Sequence, residues 1–232
     1  MSTPAKAEPA PAAGDARRGR RTGSDERILA AAKELFLEHR YDGVNLERVA
    51  ERAGVSRQTV YNRFGSKENV FREMVRYHWS AFPGPGHPAL SDMPGDADDA
   101  TASAEDVLRA FARSLRHFAA ETDQIRFARL VVAESARLPW IADEFYRLGK
   151  GPVLAAFVSR LDALVGRGLL DCPDTRLAAR QFMGLIQEFL VWPRVMAFTQ
   201  ETADQPEPEV VIEEAIRVFL ARYAPGSATA RP

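Results

Sequence analysis

Arg57, Gln58, Thr59, Tyr61 and Asn62 fall within six consecutive residues, and each carries a polar group suited to the edge or backbone of a nucleic acid. The amides of Gln58 and Asn62 hold a donor and an acceptor side by side, which matches adenine in two bonds. The Arg57 guanidinium matches guanine in the same manner. Hydroxyls such as those of Thr59 and Tyr61 suit phosphate oxygens, which fix register without reading sequence. On a helix, about 100° per residue puts Val60 and Phe64 on one face, packed inward with Val55. Gln58 and Asn62 then point outward, with Thr59 and Tyr61 on the flanks. A short amphipathic helix inside a larger bundle is the competing reading of the same residues.

The flanking segments favour the first reading. Asn45 is placed to cap a helix over Leu46–Ala53, Gly54 supplies a left-handed stop, and Ser56 caps the helix that follows. Two short helices joined by a glycine turn are a usual way to set an exposed helix into the DNA major groove. Upstream, residues 25–39 carry Ile28, Leu29, Ala32, Leu35 and Phe36 near helical spacing, and the segment ends through Tyr41-Asp42-Gly43. Downstream, Ser66 caps a further helix reaching about Trp79, and its free amides together with Lys67 offer a phosphate-binding end.

The run Ile28-Leu29-Ala30-Ala31-Ala32, Leu35-Phe36, Tyr41-Asp42-Gly43-Val44, Val49-Ala50, Ala53-Gly54-Val55-Ser56, Thr59-Val60-Tyr61 and Phe64-Gly65-Ser66-Lys67-Glu68 resembles the N-terminal domain of TetR/AcrR-family transcriptional regulators. The likeness covers residues 24–78. It implies an all-helical homodimer that binds a palindromic double-stranded DNA operator, usually represses, and lets go when a small molecule enters the C-terminal domain. By position, Arg57, Gln58 and Thr59 would meet bases, while Tyr61, Arg63 and Lys67 would meet the backbone. Asn45 stands where the family usually has a phosphate-contacting Thr or Ser, and Asn62-Arg63 replaces the more usual aromatic or His residues. A weaker likeness to one group of TetR ligand domains runs through residues 127–134, Phe145-Tyr146 and Phe182-Met183-Gly184-Leu185.

Charge distribution agrees with that division. The net charge is −1, yet residues 15–80 carry 14 Lys/Arg against 10 Asp/Glu, and residues 81–232 carry 16 against 21. A basic head on an acidic body suits one end facing phosphate. Arg17, Arg18, Arg20 and Arg21 precede the first helix. They read either as an arm entering an adjacent minor groove or as a solubilising tail. The Ala- and Pro-rich first 14 residues read as disordered. No secretory signal and no apolar run near ~18 residues appears, so a cytoplasmic protein without a membrane partner is expected. Cys172 stands alone, which excludes an intrachain disulfide, and His39, His78, His87 and His117 show no close metal-ligand spacing. Neither a metal nor a cofactor is expected.

The chain divides into an N-terminal arm (1–21), a three-helix helix-turn-helix domain (22–78), a helix end and linker (79–101), a larger helical domain (102–224) and a tail (225–232). Residues 82–101, with four prolines and an Asp cluster, read as a loop that either covers a ligand site or is a plain insertion. Beyond it the periodicity is helical throughout, so the fold class is all-α, with the C-terminal domain serving ligand binding and dimerisation. The helix capped by Asp174 extends to about Phe198, broken or kinked at Pro193, and is apolar on two sides. Such a helix is buried twice: either by its own domain and a second subunit, or by one chain alone. The first alternative puts Met183, Ile186 and Leu190 at a two-fold interface beside Ile216 and Phe219 of the last helix, and spaces two reading heads for DNA half-sites.

Aromatic residues are plentiful in the same domain. Phe111, Phe118, Phe127, Trp140, Phe145 and Phe182 are candidates to line an apolar cavity, with Glu134 and Gln187 as polar groups that could orient a ligand. An apolar or aromatic inducer is expected. The helix over 66–79 belongs to both domains and is the natural lever between them. Catalysis is the rival class, with Glu134 and Tyr146 as a conceivable acid–base pair, but no phosphate loop, nucleophile elbow, His-rich metal motif or dinucleotide fingerprint is present. A constitutive DNA-binding regulator whose second domain only dimerises is the remaining alternative.

Overall fold

The computed structural model describes residues 23–80, 101–198 and 205–227. Among them the chain is helical, with no strand: α1 (Gly23–His39), α2 (Leu46–Ala53), α3 (Arg57–Phe64), α4 (Lys67–Trp79), α5 (Ala104–Glu121), α6 (Gln124–Ser135), α7 (Pro139–Phe145), a π-helical turn (Tyr146–Lys150), α8 (Gly151–Gly166), α9 (Thr175–Leu190), α10 (Trp192–Met196) and α11 (Pro208–Tyr223). None of these helices is long and apolar enough to cross a membrane. Arg20, Arg21 and the rest of the expected arm lie outside the described residues, as do nearly all of the expected linker and the last five residues.

Local chemistry sets the helix starts. Asn45 Oδ1 accepts from Arg48 N at 2.9 Å, Ser56 Oγ from Thr59 N at 3.1 Å, and Ser66 Oγ from Asn69 N at 3.2 Å. Each bond satisfies an amide that the first helical turn would otherwise leave open, and each such cap stabilises by about 1 kcal/mol. Gly54, at φ 64°, closes α2 in the left-handed region. Ser103 and Asp106 form a reciprocal capping box on α5, and Asp174 caps α9. The expected break near Pro193 falls two residues earlier. Val191 leaves the helix after Leu190, and Pro193 occupies the first turn of α10, where its missing N–H costs nothing.

Two apolar cores share one helix. The first joins α1, α2, α3 and α4 through residues such as Phe36, Val49, Val60, Phe71 and Met74, and it takes in Phe127, Leu130 and Val131 of α6 and Ile141 of α7. The second joins α5, α8, α9 and α11. Trp79, the last residue of α4, packs against both. Ion pairs fasten the same junction: Lys33 to Asp123 at 2.8 Å, Arg137 to Asp42 at 3.0 Å, and Arg72 to Glu144 at 3.2 Å.

The second core corrects the expected subunit interface. Met183, Ile186, Ile216 and Phe219 are 1–5 % exposed, covered by their own chain. Leu190 is partly buried against the same core. Both apolar stripes of α9 meet neighbours within the chain, because α8 and α11 flank it. The apolar groups left outside are Leu177 and Phe189 on α9 and Val210 and Val218 on α11.

His78 is 1 % exposed and lies one residue before Trp79. Its ring stacks on Phe127 with centroids 4.4 Å apart, and Nε2 donates to Gln124 Oε1 at 2.9 Å. Burial pushes its pKa down to about 4, against a smaller upward effect of the Gln124 bond. The unfolded chain therefore binds the proton more readily between the ordinary His value and about 4. Stability should be complete above that window and fall as pH drops through it, by on the order of 3 kcal/mol at most. Urea denaturation at pH 7 and pH 5 should show that loss in the parent chain and a smaller loss in His78→Phe. Equal losses would refute the assignment.

Candidate nucleic-acid interface and effector cavity

The helix α3 is attached by very little. Val60 is its one buried residue, Phe64 is partly buried against the same core, Thr59 is partly buried, and Arg57, Gln58, Tyr61, Asn62 and Arg63 are exposed. Arg57, Gln58, Tyr61 and Asn62 consequently share an open surface. Gln58 Nε2 donates to Asn62 Oδ1 at 2.7 Å, so the two amides present one continuous row of donors and acceptors. The Arg57 guanidinium lies 5.1 Å from the Tyr61 ring centroid and 2.7 Å from Glu47 Oε1. Its pKa is raised first by the Tyr61 hydroxyl and then by Glu47, so it stays charged throughout. Thr59 is different: its Oγ1 is 2.8 Å from Ser56 Oγ, within the cap.

Cations border this surface. Arg63 reaches Asp25 at 3.5 Å and remains half exposed. Lys67, at the start of α4, donates to Asp42 O at 3.4 Å and sits 4.4 Å from the Tyr41 ring centroid; partial burial lowers its pKa. Asn45 spends its side-chain oxygen on the α2 cap, leaving the amide nitrogen as the group able to meet a phosphate. Sequence reasoning missed Glu47. It holds Arg57 in the free protein and must give it up if Arg57 is to reach a base. Its place in the first turn of α2 was the available signal.

Behind α4 lies a cavity of about 190 Å³ between α5, α6, α9 and α10. Trp79 forms one wall, stacked on Phe118 with centroids 5.1 Å apart and meeting Phe145 edge-on at 5.3 Å. Gly149, in the π-helical turn, lies against the indole so closely that a Cβ would overlap it. That turn thus lets α4 and the start of α8 approach. Phe118 and Phe145 line the cavity as expected, and so does Gln187. Met183, Ile186 and Leu190 line it too.

The other expected ligand residues lie elsewhere. Phe111 stacks on Phe157 at 3.7 Å and Phe182 meets Phe219 at 5.3 Å, both inside the second core. Phe127 is fully buried beneath His78. Trp140 packs on Tyr41 and Phe71 at 5.4 Å from each, in the junction between cores. Glu134 is 5 % exposed and ion-paired to Arg137 at 2.9 Å, away from the cavity. Trp79, Gln124 and Lys150 line it without having been expected. Among the described residues no His/Cys/Asp/Glu group could hold a metal.

A bare polar helix held by capped turns, with a larger helical domain packed onto the same core, defines a helix-turn-helix regulator. Residues 28–74 match the family described as bacterial regulatory proteins, tetR family, and residues 106–225 match the C-terminal domain of AefR-like transcriptional repressors. The chain belongs to the TetR family of transcriptional regulators, and not to a class of enzymes. It is 40 % identical over 55 residues to the repressor AcnR of Corynebacterium glutamicum, covering 24 % of this chain and 29 % of the relative. With the activator FasR of Mycolicibacterium smegmatis it shares 37 % over 76 residues, covering 32 % and 34 %. The chain therefore spans about a third of the curated relatives it matches. The solved structure of the flavonoid-responsive regulator FrrA superposes with a TM-score of 0.69 at 27 % identity, over 88 % of this chain and 98 % of that one.

If α3 reads bases while Lys67 holds phosphate, two substitutions should behave differently. Gln58→Ala should cost about 1–3 kcal/mol and relax preference at one base pair. Lys67→Ala should weaken binding to every sequence alike and lower the salt slope by about 1. Fluorescence anisotropy across a salt series distinguishes them, and identical behaviour of the two variants would contradict these roles.

Proposed function

We propose that this regulator binds a palindromic operator in cytoplasmic DNA as a homodimer, represses from it, and releases it when a small apolar or aromatic molecule enters the cavity. The observation that carries the reading is the polar face of α3, on which Arg57, Gln58, Tyr61 and Asn62 are all exposed side by side. Arg57 and Gln58, with the Asn62 amide continuing the row, meet base edges. Tyr61, Arg63, Lys67 and Asn45 meet the backbone, and Arg20 and Arg21 extend the contact along it. Thr59 contributes its methyl group while its hydroxyl serves the cap. Repression is favoured by the name of the AcnR relative, although FasR is named an activator. An aromatic inducer is favoured by the Trp79–Phe118–Phe145 wall and by the similar regulator that responds to flavonoids.

Dimerisation uses the outer faces of α9 and α11. Leu177, Val210 and Val218 are each at least half exposed there, and Gly184 and Ala221 keep the surface low enough for close approach. Burying exposed apolar area of this kind is the usual driving force for subunit association. The two α3 helices would then be held at a fixed separation, as half-site recognition demands.

Release follows from differential affinity. Trp79 and Gln124 both line the cavity, and Gln124 also holds His78. A molecule pressed against them displaces the last turn of α4, and α4 carries α3 through the shared core. The operator must then weaken the ligand by the same factor that the ligand weakens the operator.

Leu177→Asp combined with Val218→Asp should leave each chain folded but monomeric in sedimentation, and should abolish tight binding to a palindrome selected from random DNA. Persistence of the dimer would place the interface elsewhere. Selection of a non-palindromic site would refute two-fold recognition.

A further inference from the structure

The cavity is apolar but not electrically neutral. Of its lining residues among those described, two are cationic, Arg116 and Lys150, and none is acidic. Arg116 is already matched, its Nη1 lying 2.8 Å from Glu209 Oε1. Lys150 has no ion-pair or hydrogen-bond partner among the described residues. It ends the π-helical turn one residue after Gly149, so its backbone is fixed by the contact of that glycine with Trp79. Lys150 is exposed and is one of the residues lining the cavity. It pays no burial cost while the site is empty and is available to a charge brought by a ligand. Gln187 also lines the cavity, with no side-chain hydrogen bond among the described residues.

Size and shape narrow the ligand further. A cavity of about 150 Å³ walled by apolar side chains takes up benzene, so about 190 Å³ suits one ring or two, not an extended polycycle. The Trp79 and Phe118 rings are stacked at an inclination of 28°, and both residues line the cavity, so its wall is aromatic.

With the cavity read as the effector site, we propose that its ligand is a one- or two-ring aromatic acid, bound as its anion, with the rings against Trp79 and Phe118 and the acid group on Lys150. Gln187 adds a neutral hydrogen bond to the same molecule. The charge on Lys150 selects the acid over an uncharged molecule of equal size, because no other described residue lining the cavity offers an unmatched positive charge.

The test is calorimetric titration of the full-length protein at pH 7.5 and low salt with 2-naphthoate and with the uncharged 2-naphthalenemethanol. The acid should bind about tenfold more tightly. Lys150→Gln should remove that preference while leaving the alcohol's affinity unchanged, and Lys150→Arg should restore it. An unchanged melting temperature in Lys150→Gln excludes a folding defect as the cause. Equal affinity for acid and alcohol, retention of the preference in Lys150→Gln, or failure of both compounds to bind would each overturn the proposal. Operator release is measured separately: naphthoate that binds through Lys150 yet leaves the operator bound would sink the inducer reading and keep this one.

Discussion

The contact of Trp79 with two cores at once is the constraint on which the rest of the molecule depends. An eight-residue recognition helix with one fully buried side chain cannot hold its own orientation. Its position comes from α4, whose Val70, Phe71, Met74 and Val75 are buried in the core that also receives Val60. Because that core extends into α6 and α7, the DNA-facing module is not an independent body tethered by a linker. Close packing makes such a junction respond in discrete steps, not by gradual bending. A shift at the cavity end of α4 is therefore felt at its Lys67 end.

Polar groups at the junction reinforce the same geometry. Lys33–Asp123, Arg137–Asp42 and Arg72–Glu144 tie α1, the turn after it, and α4 to α6 and α7. Most are partly exposed, so each contributes little stability alone. Their effect is on register: each fixes which turn of one helix faces which turn of another. The recognition face follows a similar economy. Arg57 rests on Glu47 and Tyr61, and Gln58 on Asn62, so the exposed face of α3 carries side chains already paired within the chain.

Features governed by neighbours in sequence were legible before the structure. Asn45, Ser56, Ser66 and Asp174 announced their helices because a cap needs only a side-chain oxygen and an amide three residues on. Gly54 announced its turn because few other residues accept a positive φ. What periodicity could not decide was which body covers a buried stripe. Met183 and Ile186 looked like an interface because α9 is apolar on two sides, and a stripe covered by α8 or α11 has the same spacing as one covered by a partner. Aromatic rings posed the same difficulty. Phe111 and Phe118 lie on one stripe of α5, yet one stacks against Phe157 in the core and the other faces the cavity. Glu134 had its partner three residues away in Arg137, a local signal that pointed to structure more than to ligand. Trp79 was visible as a helix end; its double role was not, since Gly149 and the π-helical turn that admit it are seventy residues distant.

The most direct test of this shared-helix account is amide hydrogen exchange with and without operator DNA. Protection should change at the N-terminal end of α4 and also in its last turn and in the α6 segment carrying Gln124 and Phe127, which lie at the cavity and in the shared core, away from α3. Changes confined to α2, α3 and the first turn of α4 would mean that the two cores act separately, and the account would fail.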